Sequence, residues 1–465
     1  MAGEGWRRAV RWIRLPRHRW TKALLAAAVV VLLVSAGATA YVAQVASRFN
    51  ANVHRSDALA RGMADETPSA SPSSSVPKLS KDTNILIMGL DSRLDENGQP
   101  LPQDIQDALH AGDDSAGFYN ANVLMLVHVP ADGSRSTAIS IPRDDYVKTA
   151  GFSGAGFKTK IKEAYSYGFA IEEAARQEQG KPYDYQAARD AGRAAQIATV
   201  SKFLGGVRID HFVEVTMVAF YQVALAIQPI TVCVNHATQD TFSGADFKAG
   251  VQQINAQQAM AFVRQRRDTS DPTYDFNDLD RTRRQQAFIV SVLHQLKQAG
   301  TLTNLPRMES VLDAVSKNMA VDRDLDLLML AQQASSLTGG NVSFTTLPIV
   351  RFGTAPDGAS VNVVDVEQVQ GIVRDLLAPQ PQRTTTPSPT AASTSPGSEA
   401  SSGQAQPGAT DPVAGTTGGE TGSGGGDAPS SAGAGESASA SSAPSPSTYT
   451  DWQGALQGGS VPCVK

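Results

Sequence analysis

Between residues 84 and 377 the chain alternates short apolar runs with longer stretches whose apolar residues recur at helical spacing. The runs Asn84–Leu90, Val123–Val129, Thr137–Ile141, His211–Val215, Ile230–Val234 and Ser343–Pro348 have the length of strands and are rich in Val, Ile and Leu. Helical spacing predicts helices over 186–204, Val218–Ile227, Ala256–Val263, Arg281–Ala299, 302–337 and Val364–Leu377. Asp95–Gly117 is polar, with Gly, Pro and Asp, and predicts a loop carrying a helical turn or two. Strands that are apolar on both faces need cover on both sides. The pattern therefore predicts an α/β domain over 81–378: a three-layer α-β-α sandwich around a central, mostly buried mixed sheet.

The flanks follow other rules. Residues 1–22 carry Arg7, Arg8, Arg11, Arg14, Arg17, Arg19 and Lys22, with Trp6, Trp12 and Trp20 among them, as suits a membrane interface. The apolar run 23–43 is long enough to cross a bilayer, which takes about 20 residues. Its basic flank places the N-terminus in the cytoplasm and the rest outside, so the expected localisation is the cell membrane, single-pass. Ala38-Thr39-Ala40 resembles a cleavage site, so a removed signal peptide competes with an uncleaved anchor; the length of the run favours the anchor. Residues 44–80 read as a flexible linker. Residues 379–450 are Ser, Thr, Pro, Gly and Ala with almost no large apolar residue, and predict a disordered tail; 451–465 is a short end segment carrying Cys463. Only two cysteines occur, and outside the membrane a Cys233–Cys463 disulfide would tie that end back to the body.

Charge changes the picture at one place. The chain is mildly acidic, with a formal net charge of −5, yet Arg264, Arg266, Arg267, Arg281, Arg283 and Arg284 crowd into one window. Guanidinium groups are planar forks that match phosphate oxygens two at a time. The cluster therefore reads as a local phosphate site and not as a nucleic-acid face; no nucleic-acid partner is expected. The plainer alternative is a surface set of ion pairs with Asp268, Asp271, Asp275, Asp278 and Asp280. Asp91-Ser92-Arg93, Ser140-Ile141-Pro142-Arg143-Asp144 and the lysines 158, 160 and 162 follow predicted strands, at the edge where open α/β sheets bind ligands. His128 and His236 read as structural, and Met125, Met217 and Met260 as core residues that could equally line a lipid cleft.

Asn84–Arg93, Asn122–Val129, Ser140–Val147, Lys160–Gly168, Ala261–Arg266 and Asp278–Gln286 together resemble, in order, the sequence blocks of the LytR-CpsA-Psr family. The resemblance implies a cell-wall phosphotransferase. Such an enzyme moves a glycopolymer from a polyprenyl-pyrophosphate carrier onto a peptidoglycan acceptor, with Mg²⁺ beside the pyrophosphate and the lipid in an apolar cleft. Carried over by motif, Asp91 and Asn122 would stand at the metal. Arg93, Arg143, Lys160, Arg264, Arg266, Arg281 and Gln285 would hold phosphate. Arg143, Arg264, Arg266, Asp278 and Arg281 would form the catalytic set, Asp278 orienting an arginine or acting as a base. Two departures stand out. Asn122 occupies the place of a second metal-binding Asp, and Gln228-Pro229 replaces the usual Gly-Gly, altering a turn near the cleft. Hydrolysis of the carrier, non-catalytic binding of it, and transcriptional regulation are the alternatives; regulation would need the arginines on the other side of the anchor.

Overall fold

The computed structural model describes residues 50–64, 81–110, 119–151, 157–271, 273–298, 316–325, 341–378 and 454–465, with positions 44, 47, 48 and 313. The basic segment 1–22, the apolar run 23–43, residues 65–80 of the linker, the tail 379–450 and most of 302–337 lie outside the described residues. Among the described residues no helix is long and apolar enough to cross a membrane.

The run around Ile85 and Leu86 becomes a middle strand of an eight-stranded mixed sheet. Its strands are β1 (His54–Ser56), β2 (Thr83–Asp91), β3 (Asn120–Val129), β4 (Ser136–Ser140), β5 (His211–Thr216), β6 (Met319–Asp322), β7 (Val342–Thr346) and β8 (Leu456–Gln457). Their spatial order is β1-β6-β5-β2-β3-β4-β7-β8. β2 runs parallel to β5 and antiparallel to β3, and β4 runs parallel to β7. Alternate residues of the strands feed two separate cores. Ile85, Met125, Val127 and Phe344 pack with helices α3 (Met217–Ile227), α4 (Ala256–Arg264) and α5 (Asp278–Gln298). Leu86, Met88, Leu124, Leu126 and Phe212 pack with α2 (Tyr185–Phe203) and α6 (Val366–Leu377). Cover on both faces explains why these runs lack polar alternation; each buried side chain of this size contributes about 1.5–3 kcal/mol.

Several elements depart from the sequence pattern. Ile230–Val234 is a strand, but it lies in a separate three-stranded sheet between Gly250–Ile254 and Cys463–Val464. The described part of 302–337 contains strand β6 where helix was expected; it is held between β1 and β5, and backbone pairing overrides local preference. Helix α1 (Ala164–Glu178) was not expected, because Gly168 interrupts its apolar spacing. Gly168 is there for contact: a Cβ would come within 2.6 Å of the Ala195 Cβ on α2. The Gln228–Pro229 peptide is cis and joins α3 to the second sheet. Cys233 and Cys463 form a disulfide and face each other in register.

Candidate active site

Position along the sheet explains which residues meet. β2 and β3 pair regularly up to Gly89 opposite Val123, then slip so that Leu90 faces Ala121. Asn122 is the extra residue of this bulge, and such bulges re-aim side chains beside functional sites. Gly89 allows the strands to close there, since a Cβ would lie 2.7 Å from the Val123 Cβ. Asp91 ends β2, and Arg143 follows β4 after Pro142. Arg264 ends α4. Asn277 starts α5 with a reciprocal cap: its side chain accepts from Leu279 N at 2.9 Å while Asp280 accepts from Asn277 N at 3.0 Å. That cap fixes the helix phase, and Arg281 and Gln285, one turn apart, share a face.

These elements enclose a cavity of about 460 Å³. Its charged part carries Arg93, Arg143, Lys162, Arg264, Arg266, Arg267 and Arg281 against two carboxylates, Asp91 and Asp240. Its apolar part includes Ile87, Val215, Phe220, Met260, Phe288 and Ile289. Met217 also lines it, whereas Met125 belongs to the core. An acidic chain thus gathers seven cations at one concave surface beside a greasy wall.

Asp278 sits behind the arginines and organises them. Arg143 approaches its two oxygens at 3.2 and 3.0 Å, and Arg281 approaches both at 2.9 Å. Burial alone would raise the Asp278 carboxyl, but Arg281 and Arg143 hold it well below the usual carboxylate range. Arg281 also reaches the Asn122 carbonyl at 3.3 Å. Asp91 accepts from Arg93 at 2.7 Å and from the Asn122 amide at 2.6 Å. Arg264 donates to the carbonyls of Leu109 and His110. Burial lowers the Arg264 guanidinium, and Arg93 and Arg266 push the same way. Desolvation in the cleft and then Arg143 lower Arg266, although its side chain stands open to solvent at the cavity. Neighbouring cations that depress one another are a surface short of negative charge.

Of the residues named from sequence, Asp91, Arg93, Asn122, Arg143, Arg264, Arg266, Arg281 and Gln285 line this cavity, and Asp278 backs it. Gln285 spends its amide on the Val263 carbonyl at 3.2 Å. Lys160 lies off the wall with its amine 3.9 Å from Asp144; Lys162, 2.8 Å from the same carboxylate, lines the cavity. Arg283 and Arg284 turn the other way and bind the end segment: Arg283 donates to Gly454 O, and Arg284 to Lys465 O at 2.7 Å. His128 is packed against Asn84 at 2.8 Å. Arg267, part of the arginine cluster but not carried over by motif, also lines the cavity, and sequence reasoning missed Phe242 and Asp240 on its wall. It also missed a buried cluster of Glu96, Arg189, Arg193 and Glu214 that anchors the loop just after Arg93.

The chain is 36% identical over 299 residues to the cell wall biosynthesis protein LcpA of Corynebacterium glutamicum, covering 63% of this chain and 55% of that protein. It is 26% identical over 245 residues to the polyisoprenyl-teichoic acid–peptidoglycan teichoic acid transferase TagU of Bacillus subtilis, covering 52% of this chain and 62% of the relative. The chain thus spans little more than half the length of LcpA. Among solved structures, B. subtilis TagV matches 65% of this chain and 99% of its own at a TM-score of 0.45 and 20% identity. The family model described as LytR_cpsA_psr matches residues 45–376, and the chain belongs to that family.

Proposed function

We propose that the chain transfers a glycopolymer from a polyprenyl-pyrophosphate carrier to peptidoglycan, at the outer face of the cell membrane. The observation that carries this reading is the join, in one cavity, of a seven-cation wall with an uncharged apolar wall. A polyprenyl pyrophosphate has the same two halves. LcpA and TagU, as named, act in wall biosynthesis and in teichoic acid transfer to peptidoglycan.

In this reading the acceptor hydroxyl oxygen attacks the phosphorus that bears the glycan. A new P–O bond forms, the pyrophosphate bridge breaks, and polyprenyl phosphate leaves; the hydroxyl proton passes to solvent. Charge grows on the bridging oxygen, and fixed guanidiniums stabilise it without reorganising. Arg143 and Arg281, locked by Asp278, supply that rigidity; Arg264 and Arg266 face the remaining phosphate oxygens. With both its oxygens occupied by arginines, Asp278 is better suited to orienting them than to taking a proton.

The side chains present fit a magnesium ion that draws most of its ligands from phosphate and water. Asp91 offers one carboxylate, and Asn122 Oδ1 is buried without a hydrogen-bond partner. Mg²⁺ commonly takes one or two carboxylates beside phosphate oxygens. Bound there, it would neutralise pyrophosphate charge. Asn122 in place of a charged ligand favours a second reading, in which the protein holds the carrier without transferring its load.

Arg264→Ala and Arg281→Ala should each abolish polymer attachment to peptidoglycan in a complemented strain while the purified variants keep the wild-type circular dichroism spectrum. Wild-type levels of attachment in both variants would remove the site from consideration.

A further inference from the structure

Phe242 is 64% exposed, although it sits on a tightly held loop. Buried Asp240 accepts from Phe242 N at 3.0 Å, from Ser243 Oγ at 3.0 Å and from Arg266 N at 3.4 Å. The Thr241 carbonyl meets the His110 ring at 3.2 Å, and Thr269 N donates to Gln239 O at 2.7 Å. The loop is therefore laced to the arginine segment after α4 on one side and to the His110 turn on the other. A rigid loop that leaves a phenyl ring in water forgoes the roughly 1.5–3 kcal/mol its burial could contribute. The Arg267 guanidinium lies 4.2 Å from the ring centroid, in cation–π contact. Among the described residues Arg267 forms no ion pair. Both side chains line the same cavity as Arg264 and Arg266, and Arg267 directly follows Arg266 in the chain.

We propose that Phe242 and Arg267 form a stacking platform for the sugar that adjoins the pyrophosphate of the bound carrier. This rests on the carrier reading above. Lipid would take the uncharged wall, and phosphate the arginines. The group that must then emerge beside Arg266 is the first sugar of the polymer. A pyranose presents C–H faces that lie against an aromatic ring and hydroxyls that accept from a guanidinium. Arg267 holds the ring in place and offers its remaining N–H groups to that sugar. Asp240, saturated by the loop, fixes the platform and does not contact the ligand.

The test uses the full chain in detergent and two probes, farnesyl pyrophosphate and farnesyl-pyrophosphoryl N-acetylglucosamine, titrated by calorimetry. Wild-type protein should bind the sugar-bearing probe more tightly. Phe242→Ala should weaken that probe about tenfold, about 1.4 kcal/mol, and change farnesyl pyrophosphate by less than twofold. Phe242→Trp should restore sugar-dependent binding, and Arg267→Ala should lose part of it. Equal losses for both probes in Phe242→Ala, or equal wild-type affinity for the two, overturn the platform while leaving the carrier reading intact. Wild-type protein that binds neither probe overturns the carrier reading and the platform with it.

Discussion

Glu214→Gln should cost the fold about 3–5 kcal/mol, the usual result of removing one partner from a buried ion pair. Glu214, Arg189 and Arg193 are wholly buried. Glu214 pairs with Arg189 and takes Arg193 Nη2 at 2.9 Å and Nε at 3.1 Å. Glu96 closes the ring at 2.9 Å to Arg189 and 2.5 Å to Arg193. Asp190, 2.8 Å from Arg193, lies at the half-buried edge of the ring, and the amide would leave Arg189 with Glu96 alone and Arg193 with Glu96 and Asp190. The electrostatics of Glu214 lead to a similar figure. Burial would raise Glu214, but Arg193 and Arg189 bring it from 4.5 down to about 2. At about 1.4 kcal/mol per pH unit, that difference corresponds to about 3 kcal/mol. Because the folded value is the lower one, this stabilisation is fully present above about pH 4.5 and is lost as pH falls through about 2. Urea unfolding followed by circular dichroism, with the disulfide kept oxidised, measures both effects. The variant should show a lower midpoint with unchanged slope at pH 7 and a flatter decline between pH 4.5 and 2 than the wild type. A cost below about 1 kcal/mol at pH 7, or identical acid profiles, would show that the cluster is already neutralised by other means.

Asn122→Asp would set a second carboxylate 2.6 Å from Asp91, where the amide now donates. The apo variant should melt lower than wild type and gain about tenfold in Mg²⁺ affinity by calorimetry, since a cation relieves that repulsion; an unchanged Mg²⁺ titration would refute the assignment. The Cys233–Cys463 bridge spans 230 residues, for which chain entropy gives about 5 kcal/mol as an upper value. Cys463→Ser should lower the melting temperature, and reducing agent should do the same to wild type but not to the variant; coincident melts in all three conditions would contradict it.

The middle of the sheet was legible because burial on both faces leaves an unbroken apolar run, and Ile85–Leu90, Val123–Val129 and Ile139 all carry that mark. Membership of a sheet was not. Ile230–Val234 reads like the others, yet its partners are Gly250–Ile254 and Cys463–Val464, and nothing local encodes a pairing across 230 positions. β1 and β6 are short and contribute few side chains, so their strand identity comes from the neighbours they bond to. Helix α1 was hidden for the opposite reason. Gly168 and Gly192, helix-weakening by propensity, are what allow α1 and α2 to touch, and a contact between helices has no signature in either one alone.

The arginine window shows the same division at the site. Once Asn277 caps α5, a rotation of about 100° per residue puts Arg281 and Gln285 together and sends Arg283 to the far side. That much follows from the chain itself. What no spacing rule supplies is a full reason for Arg283 and Arg284 to be buried, because besides Gln286, Gln265 and Thr238 they donate to Gly454 and Lys465, which arrive from the far end of the sequence. Arg284 lies among Phe247, Phe262 and Phe276, and burial lowers its guanidinium to about 9. Six arginines in one window therefore serve two tasks. Those that line the cavity keep a surplus of positive charge beside a ligand. Arg283 and Arg284 are buried and spend theirs inside the fold, in part on holding the end segment against the helix that carries Arg281, so the end segment and the cavity share one structural support.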